Sequence, residues 1–206
     1  MNPIQRFMRF FFNLLYHPFA FTYDLVAWVV SFGKWQDWVF SVIPHLQGTR
    51  ILELGHGPGH LQRLLLNRGM FAVAIDESTQ MGRIAKRRLG ASHKLTRGIT
   101  QSLPYPSGCF DCVVSTFPTE YIYDPHTLAE VRRVLRSGGR LVVLPVTYPK
   151  SGFLQWLYKV TRESPAAFDN AIKERLLKPF QKAGFIMEME IVELKSSRLI
   201  ILLAEK

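Results

Sequence analysis

The 206-residue chain is long enough for one compact domain, and its 48% hydrophobic content excludes a disordered chain. A formal charge of +10 favours acidic partners: nucleic acid, anionic lipid head groups or acidic small molecules. The two cysteines, Cys109 and Cys112, cannot build a disulfide framework, and their C-x-x-C spacing lacks the two further ligands of a zinc site, so a reducing compartment and no metal are expected.

Residues 1–16 have helical period: Ile4, Phe7, Met8, Phe10, Phe11, Leu14 and Leu15 fall on one face, with Gln5, Arg6, Arg9 and Asn13 opposite. An apolar face edged by arginine suits a helix lying in a membrane interface, or one packed as a lid on the domain. Asn13, His17, Pro18 and Asp24 interrupt the apolar run, so it is not expected to span a membrane, and no small-residue cleavage site follows it. Residues 22–42 form a second apolar segment carrying Trp28, Trp35 and Trp38. Composition shifts near residue 45, which divides the chain into an aromatic-rich N-terminal helical segment, 1–45, and a domain, 46–206.

From Thr49 the pattern becomes βαβ. Strands are expected at 50–54, 71–75, 94–98, 110–116, 140–145, 185–193 and 198–204, and helices at 61–67, 79–89, 125–135 and 165–183, the last containing Pro179. Alternation of this kind predicts a Rossmann-like, doubly wound α/β fold. Its seven-stranded sheet would be mostly parallel, with an antiparallel strand in the C-terminal hairpin.

The sharpest motif is Glu53-Leu54-Gly55-His56-Gly57-Pro58-Gly59, which leaves a strand and opens a helix. Gly55, Gly57 and Gly59 let the backbone turn tightly and approach a ligand. Asp76, ending the next strand, is placed to accept hydrogen bonds from two ribose hydroxyls; the alternative is a tight turn with a capping Asp. His56 and His60 lack a third ligand type and are not expected to hold metal. The basic runs Arg83–Arg88 and Arg132–Arg136 read as solvated helix faces, better suited to an anionic membrane surface than to nucleic acid.

Over about residues 20–146 the chain resembles class I S-adenosylmethionine (SAM)-dependent methyltransferases, in the ubiquinone/menaquinone C-methyltransferase-like branch. Leu52–Gly59 is similar to that family's first cofactor motif and Ala74-Ile75-Asp76 to its second. Leu103-Pro104-Tyr105-Pro106 with Phe110-Asp111, and Val134–Leu141, are similar to two later segments. Tyr23-Asp24-Leu25 and Ser31-Phe32-Gly33 are similar to the start of the quinone enzymes.

The resemblance implies SAM as cofactor. Glu53 would bind its methionine ammonium and Asp76 its ribose, with Gly55 and Gly57 making room. Ser102 and Leu103 would flank the adenine, with Gln101 as a polar contact, and Thr116 and Phe117 would face the methyl group. Two positions depart from the family. Ile99 stands where an acid commonly contacts the adenine amino group, and Glu120-Tyr121 replace an Arg-Asn pair of the quinone enzymes. A general base is needed only if the nucleophile must lose a proton, and Glu120, Tyr121 and His126 are the candidates.

The expected function is SAM-dependent methylation of a lipophilic acceptor, a lipid amine or a quinol-like ring, at a membrane surface. The expected setting is cytoplasmic, with peripheral contact on the membrane's inner face. The alternatives are a soluble small-molecule methyltransferase with an N-terminal lid, or a non-catalytic SAM- or lipid-binding module.

Overall fold

The glycine-bounded apolar runs form a sheet and the amphipathic runs between them its helices. The computed structural model describes residues 33–90, 94–149 and 170–206. The elements are α1 (Trp35–Phe40), β1 (Arg50–Leu54), α2 (His60–Asn67), β2 (Phe71–Asp76), α3 (Thr79–Leu89), β3 (Leu95–Arg97), β4 (Phe110–Thr116), α4 (Pro125–Val134), β5 (Leu135–Pro149), α5 (Asn170–Lys182), β6 (Ile186–Glu193) and β7 (Ser197–Glu205). The interfacial helix expected at 1–16, the apolar stretch at 22–32, and residues 165–169 of the expected last helix lie outside the described residues.

The seven strands follow the order β3-β2-β1-β4-β5-β7-β6. β1 pairs parallel with β2 and β4, β2 with β3, and β4 with β5. β7 is antiparallel to both β5 and β6. The expected hairpin therefore contributes one antiparallel strand, inserted between β5 and β6. β5 starts five residues earlier than the glycines suggested, and the β4–β5 register shifts between Phe110 and Cys112, where the Ser137–Gly139 stretch passes.

Side-chain alternation builds two apolar layers. Leu52, Leu54, Val113, Leu141 and Val143 pack with Leu128, Val131, Leu177 and Phe180 of α4 and α5. Ile51, Cys112, Val114, Val142 and Leu144 pack on the other face with Trp38 and Val39 of α1 and Leu61 and Leu65 of α2. The indole N–H of Trp38 donates to Ser197 Oγ at 3.0 Å, tying α1 to β7. Cys109 and Cys112 are free thiols, and burial pushes that of Cys112 up to about 12. No helix among the described residues is long and apolar enough to cross a membrane.

This strand order reverses direction between β1 and β4. A crevice at the carboxyl ends of the strands forms at such a switch point.

Candidate functional site

The glycine loop lies at that crevice, where β1 ends. Gly55, Gly57 and Gly59 all have positive φ, but their surroundings differ. A Cβ on Gly55 would come within 2.6 Å of the Tyr121 hydroxyl oxygen, and one on Gly59 within 3.1 Å of Ala85 Cβ on α3. A Cβ on Gly57 would meet nothing within 4 Å. Gly55 and Gly59 thus permit packing within the protein, and Gly57 borders open space.

Asp76 holds this loop in shape. Its Oδ2 accepts from the Gly57 N–H at 2.9 Å and its Oδ1 from the Ser78 N–H at 2.8 Å. Gly55 N–H donates to the Ile75 carbonyl at 2.8 Å. A carboxylate offers about four lone-pair sites, so Asp76 retains capacity for about two more donors.

Glu53 is 2% exposed on β1, and its Oε2 has no hydrogen-bond partner among the described residues. Burial pushes its carboxyl up to about 8; the Gln62 amide opposes that shift, and the Asp76 charge adds to it. Gln62, fully buried on α2, also donates to the Val73 carbonyl at 3.4 Å. A buried carboxyl with one oxygen unpaired is costly unless a donor or cation completes it.

Beside Asp76, Glu77, Arg97, Gly98 and Ile99 line a cavity of about 510 Å³. Ile99 is 51% exposed there. Gln101 is turned to the neighbouring loop: its Nε2 donates to Asp124 Oδ2 at 3.3 Å. Asp124 also caps α4 by accepting from His126 N–H at 2.7 Å, and these two bonds, the backbone one first, hold its carboxyl low. Ser102 is exposed and Leu103 buried.

The Leu103–Pro106 segment is clamped by α4. Leu103 N–H donates to Glu130 at 2.7 Å, and Arg133 donates to the carbonyls of Tyr105 at 2.7 Å and Leu103 at 2.9 Å while pairing with Glu130. Arg133 is therefore not part of a merely solvated basic face. Arg136 also departs from that reading: it pairs with Asp111, which further accepts from Thr49, Arg50 and the Arg50 guanidinium. Arg50 holds the Asp111 carboxyl far below the usual carboxylate range.

At the end of β4 stand Thr116 and Phe117. Phe117 is the one described non-glycine residue with positive φ, +49°. Such a conformation is uncommon for a bulky side chain, and strain of this kind clusters at functional sites. Its ring stacks on Trp35 of α1, with centroids 4.5 Å apart. Next, a 3-10 turn, Glu120–Tyr123, leads to α4. Glu120 and His126 are exposed. Tyr121 turns inward: its hydroxyl meets Ser115 Oγ at 2.8 Å and donates to the Leu54 carbonyl at 3.1 Å, beneath Gly55.

Sequence reasoning missed Gln62, Ser115, Trp35 and the Glu130–Arg133 clamp. Gln62 carried a signal, a polar residue on the apolar side of α2 beside Leu61 and Leu65. The others owe their roles to partners far away in the chain.

The known family described as "Methyltransferase domain" matches residues 52–143, from the glycine loop into β5. The demethylmenaquinone methyltransferase of Thermus thermophilus is 32% identical over 155 residues, 71% of this chain and 70% of that protein. That of Thermobifida fusca is 33% identical, over 71% of this chain and 67% of that protein. The chain belongs to the class I SAM-dependent methyltransferases. It falls in their ubiquinone/menaquinone C-methyltransferase-like branch. The ubiquinone/menaquinone biosynthesis C-methyltransferase of Teredinibacter turnerae is 31% identical over 70% of the chain, covering 63% of that relative. For the Symbiobacterium thermophilum demethylmenaquinone methyltransferase the share is 61%, and the chain spans 59% to 70% of the length of the curated relatives it matches. In fold, the chain is similar to a SAM-dependent methyltransferase from Thermotoga maritima, with a TM-score of 0.62, 20% identity and coverage of 90% and 96% of the two chains.

The cofactor of this family is SAM, and the crevice suits it chemically. An unpartnered buried carboxyl oxygen, Glu53 Oε2, answers an ammonium. The remaining acceptor capacity of Asp76 suits two hydroxyls.

Proposed function

We propose that this chain transfers the methyl group of SAM to a lipophilic acceptor at a membrane surface, and that the acceptor is a quinol-like ring. The observation that carries the reading is the pairing of the Asp76-braced glycine loop with the incompletely bonded Glu53 in one crevice. Bound SAM supplies an electrophilic methyl on a sulfonium, so the protein's task is largely to bind and orient.

In this reading Glu53 takes the methionine ammonium and gives up its proton as it does so. Asp76 accepts from the ribose hydroxyls while keeping its two backbone bonds. Gly57 leaves room beside them, Ser102 and Leu103 flank the adenine, and Ile99 stands at its amino edge, where it accepts no hydrogen bond. Gln101 contributes a polar contact to the adenine by giving up its bond to Asp124. Thr116 and Phe117 border the methyl position. Gly55 and Gly59 act by admitting Tyr121 and α3.

Tyr121 acts as a positioning residue, because its hydroxyl props the Leu54–Gly55 turn. Glu120 and His126, exposed beyond β4, are the groups proposed to receive a proton from the acceptor. The quinol-like ring is supported by the names of the relatives, and by the aromatic wall of Phe117 and Trp35 at the end of β4. The membrane surface is supported by the charge of +10 and by the apolar, arginine-edged pattern of residues 1–16.

The test incubates methyl-labelled SAM with the full chain and, separately, a demethylated menaquinol, a lipid amine and a water-soluble amine. Label in the quinol ring is expected. Label only in an amine would replace the acceptor, and SAM affinity without turnover on any of them would leave a binding module.

A further inference from the structure

A second concavity lies on the face of the sheet covered by α4 and α5. It is a groove of about 850 Å³ running between those two helices. Its cationic lining includes Arg132 from α4 and Arg175, Lys178 and Lys182 from α5, and no acidic residue lines it among the described residues. All four side chains are exposed, and none forms an ion pair among the described residues. The other two cations of the lining are engaged: Arg133 with Glu130, and Lys206 with the Leu135 carbonyl.

Four like charges along one groove repel one another, and an anionic occupant would relieve that repulsion. The floor narrows the choice of occupant. Ala129, Pro179 and Ala183 make it aliphatic. Among the described residues its one aromatic, Tyr123, sits edge-on against Phe180 at 5.8 Å rather than as an open platform. Single-stranded nucleic acid uses exposed aromatic faces for stacking, and this groove has none to offer. An anionic amphiphile matches both parts, with its phosphate at the cations and its acyl carbons on the floor.

We infer that the α4–α5 groove docks an anionic phospholipid of a membrane surface. The groove is separate from the cofactor crevice, so this site does not depend on the methyl-transfer reading.

Co-sedimentation of the full chain with phosphatidylglycerol and with phosphatidylcholine vesicles at low salt tests it. Binding to the anionic vesicles alone is expected. Arg175→Glu/Lys178→Glu/Lys182→Glu should lower that affinity about tenfold or more, since each basic residue near an anionic surface matters. Arg83→Glu/Lys86→Glu/Arg87→Glu on α3 removes the same charge elsewhere and should cost far less. Calorimetric SAM affinity, unchanged in the α5 variant, reports that it is folded. If it is not, Arg175→Gln/Lys178→Gln/Lys182→Gln replaces it in the same comparison. Equal losses in the α3 and α5 variants would overturn the groove in favour of a general field. Displacement from vesicles by inorganic phosphate at comparable concentration would overturn the lipid in favour of a free anion. Asp76→Ala should bind vesicles normally while losing SAM, so failure of the groove and failure of the cofactor reading are read separately.

Discussion

The two ends of the crevice are built on opposite principles. At the glycine loop, positions are set by backbone N–H groups that donate over short chain distances, Gly57 and Ser78 to the Asp76 carboxylate and Gly55 to the Ile75 carbonyl. At the end of β4, positions are set by side chains from distant elements: Trp35 on Phe117, and Tyr121 against Ser115 and Leu54. The first end uses groups that any sequence with glycine and aspartate at the right spacing supplies. The second depends on aromatic residues whose identity can change without altering the loop. The β4 end can therefore change while the glycine-loop end stays as it is, and the Glu120-Tyr121 pair lies at the β4 end.

The largest effect expected is on pH dependence, through Glu53. Its folded carboxyl is raised to about 8 by burial, well above that of the unfolded chain. Below the ordinary carboxylate range both states are protonated, and the stability contribution is fully present. As pH rises, the unfolded chain releases this proton first, so stability falls through the window up to about pH 8, by several kcal/mol at order of magnitude. Urea unfolding across that window should show the decline in wild type and a flatter profile in Glu53→Gln. Calorimetry of SAM binding near neutral pH should show proton release, seen as a heat that varies with buffer, and the variant should lose it. A buffer-independent heat in wild type would mean that Glu53 is ionised before SAM arrives.

The junction between the two ends can be broken at Gly55. Gly55→Ala places a methyl 2.6 Å from the Tyr121 oxygen at φ +70°, and should destabilise by about 2–3 kcal/mol. Adding Tyr121→Phe leaves the ring carbon at 3.5 Å and should recover part of the loss, measured as the urea midpoint. No recovery would assign the whole cost to backbone strain and remove Tyr121 from the supporting role.

Asp76→Ala deletes the acceptor of two backbone bonds and the proposed ribose contact. SAM affinity by calorimetry should fall by about 1–3 kcal/mol. Unchanged affinity would detach this residue from the cofactor.

Trp35→Ala removes the ring stacked on Phe117 at 4.5 Å, a contact worth about 1 kcal/mol. Its cost should appear in KM for the acceptor, with SAM affinity preserved. A loss confined to SAM affinity would place the aromatic wall at the cofactor instead.

The smallest expected effect is a gain. Ile99→Asp supplies a carboxylate beside the 510 Å³ cavity and should tighten SAM by about 1 kcal/mol or less. An equal or weaker affinity would place the adenine away from residue 99.

Much of this molecule is local in origin. Alternating apolar residues bounded by glycine determined the strands, and helical periodicity with caps such as Ser78 and Asp124 determined the helices, because each is governed by neighbours within a few positions. The glycine loop and Asp76 were legible for the same reason: a strand, a turn and the next strand lie within about thirty residues. Tertiary structure alone decided the remainder. The early start of β5 follows from pairing with β4 and β7, which no local pattern reveals. Arg133 and Arg136 looked like surface charge until Glu130, the Leu103 and Tyr105 carbonyls, and Asp111 were brought beside them. On the side where Gly55 would carry a Cβ, the space is taken by Tyr121, sixty-six residues later. Glu53 is an ordinary acid in the sequence. Burial between β2, β4 and α2 raises its carboxyl to about 8, because desolvation depends on everything packed around a charge and not on the residues next to it in the chain.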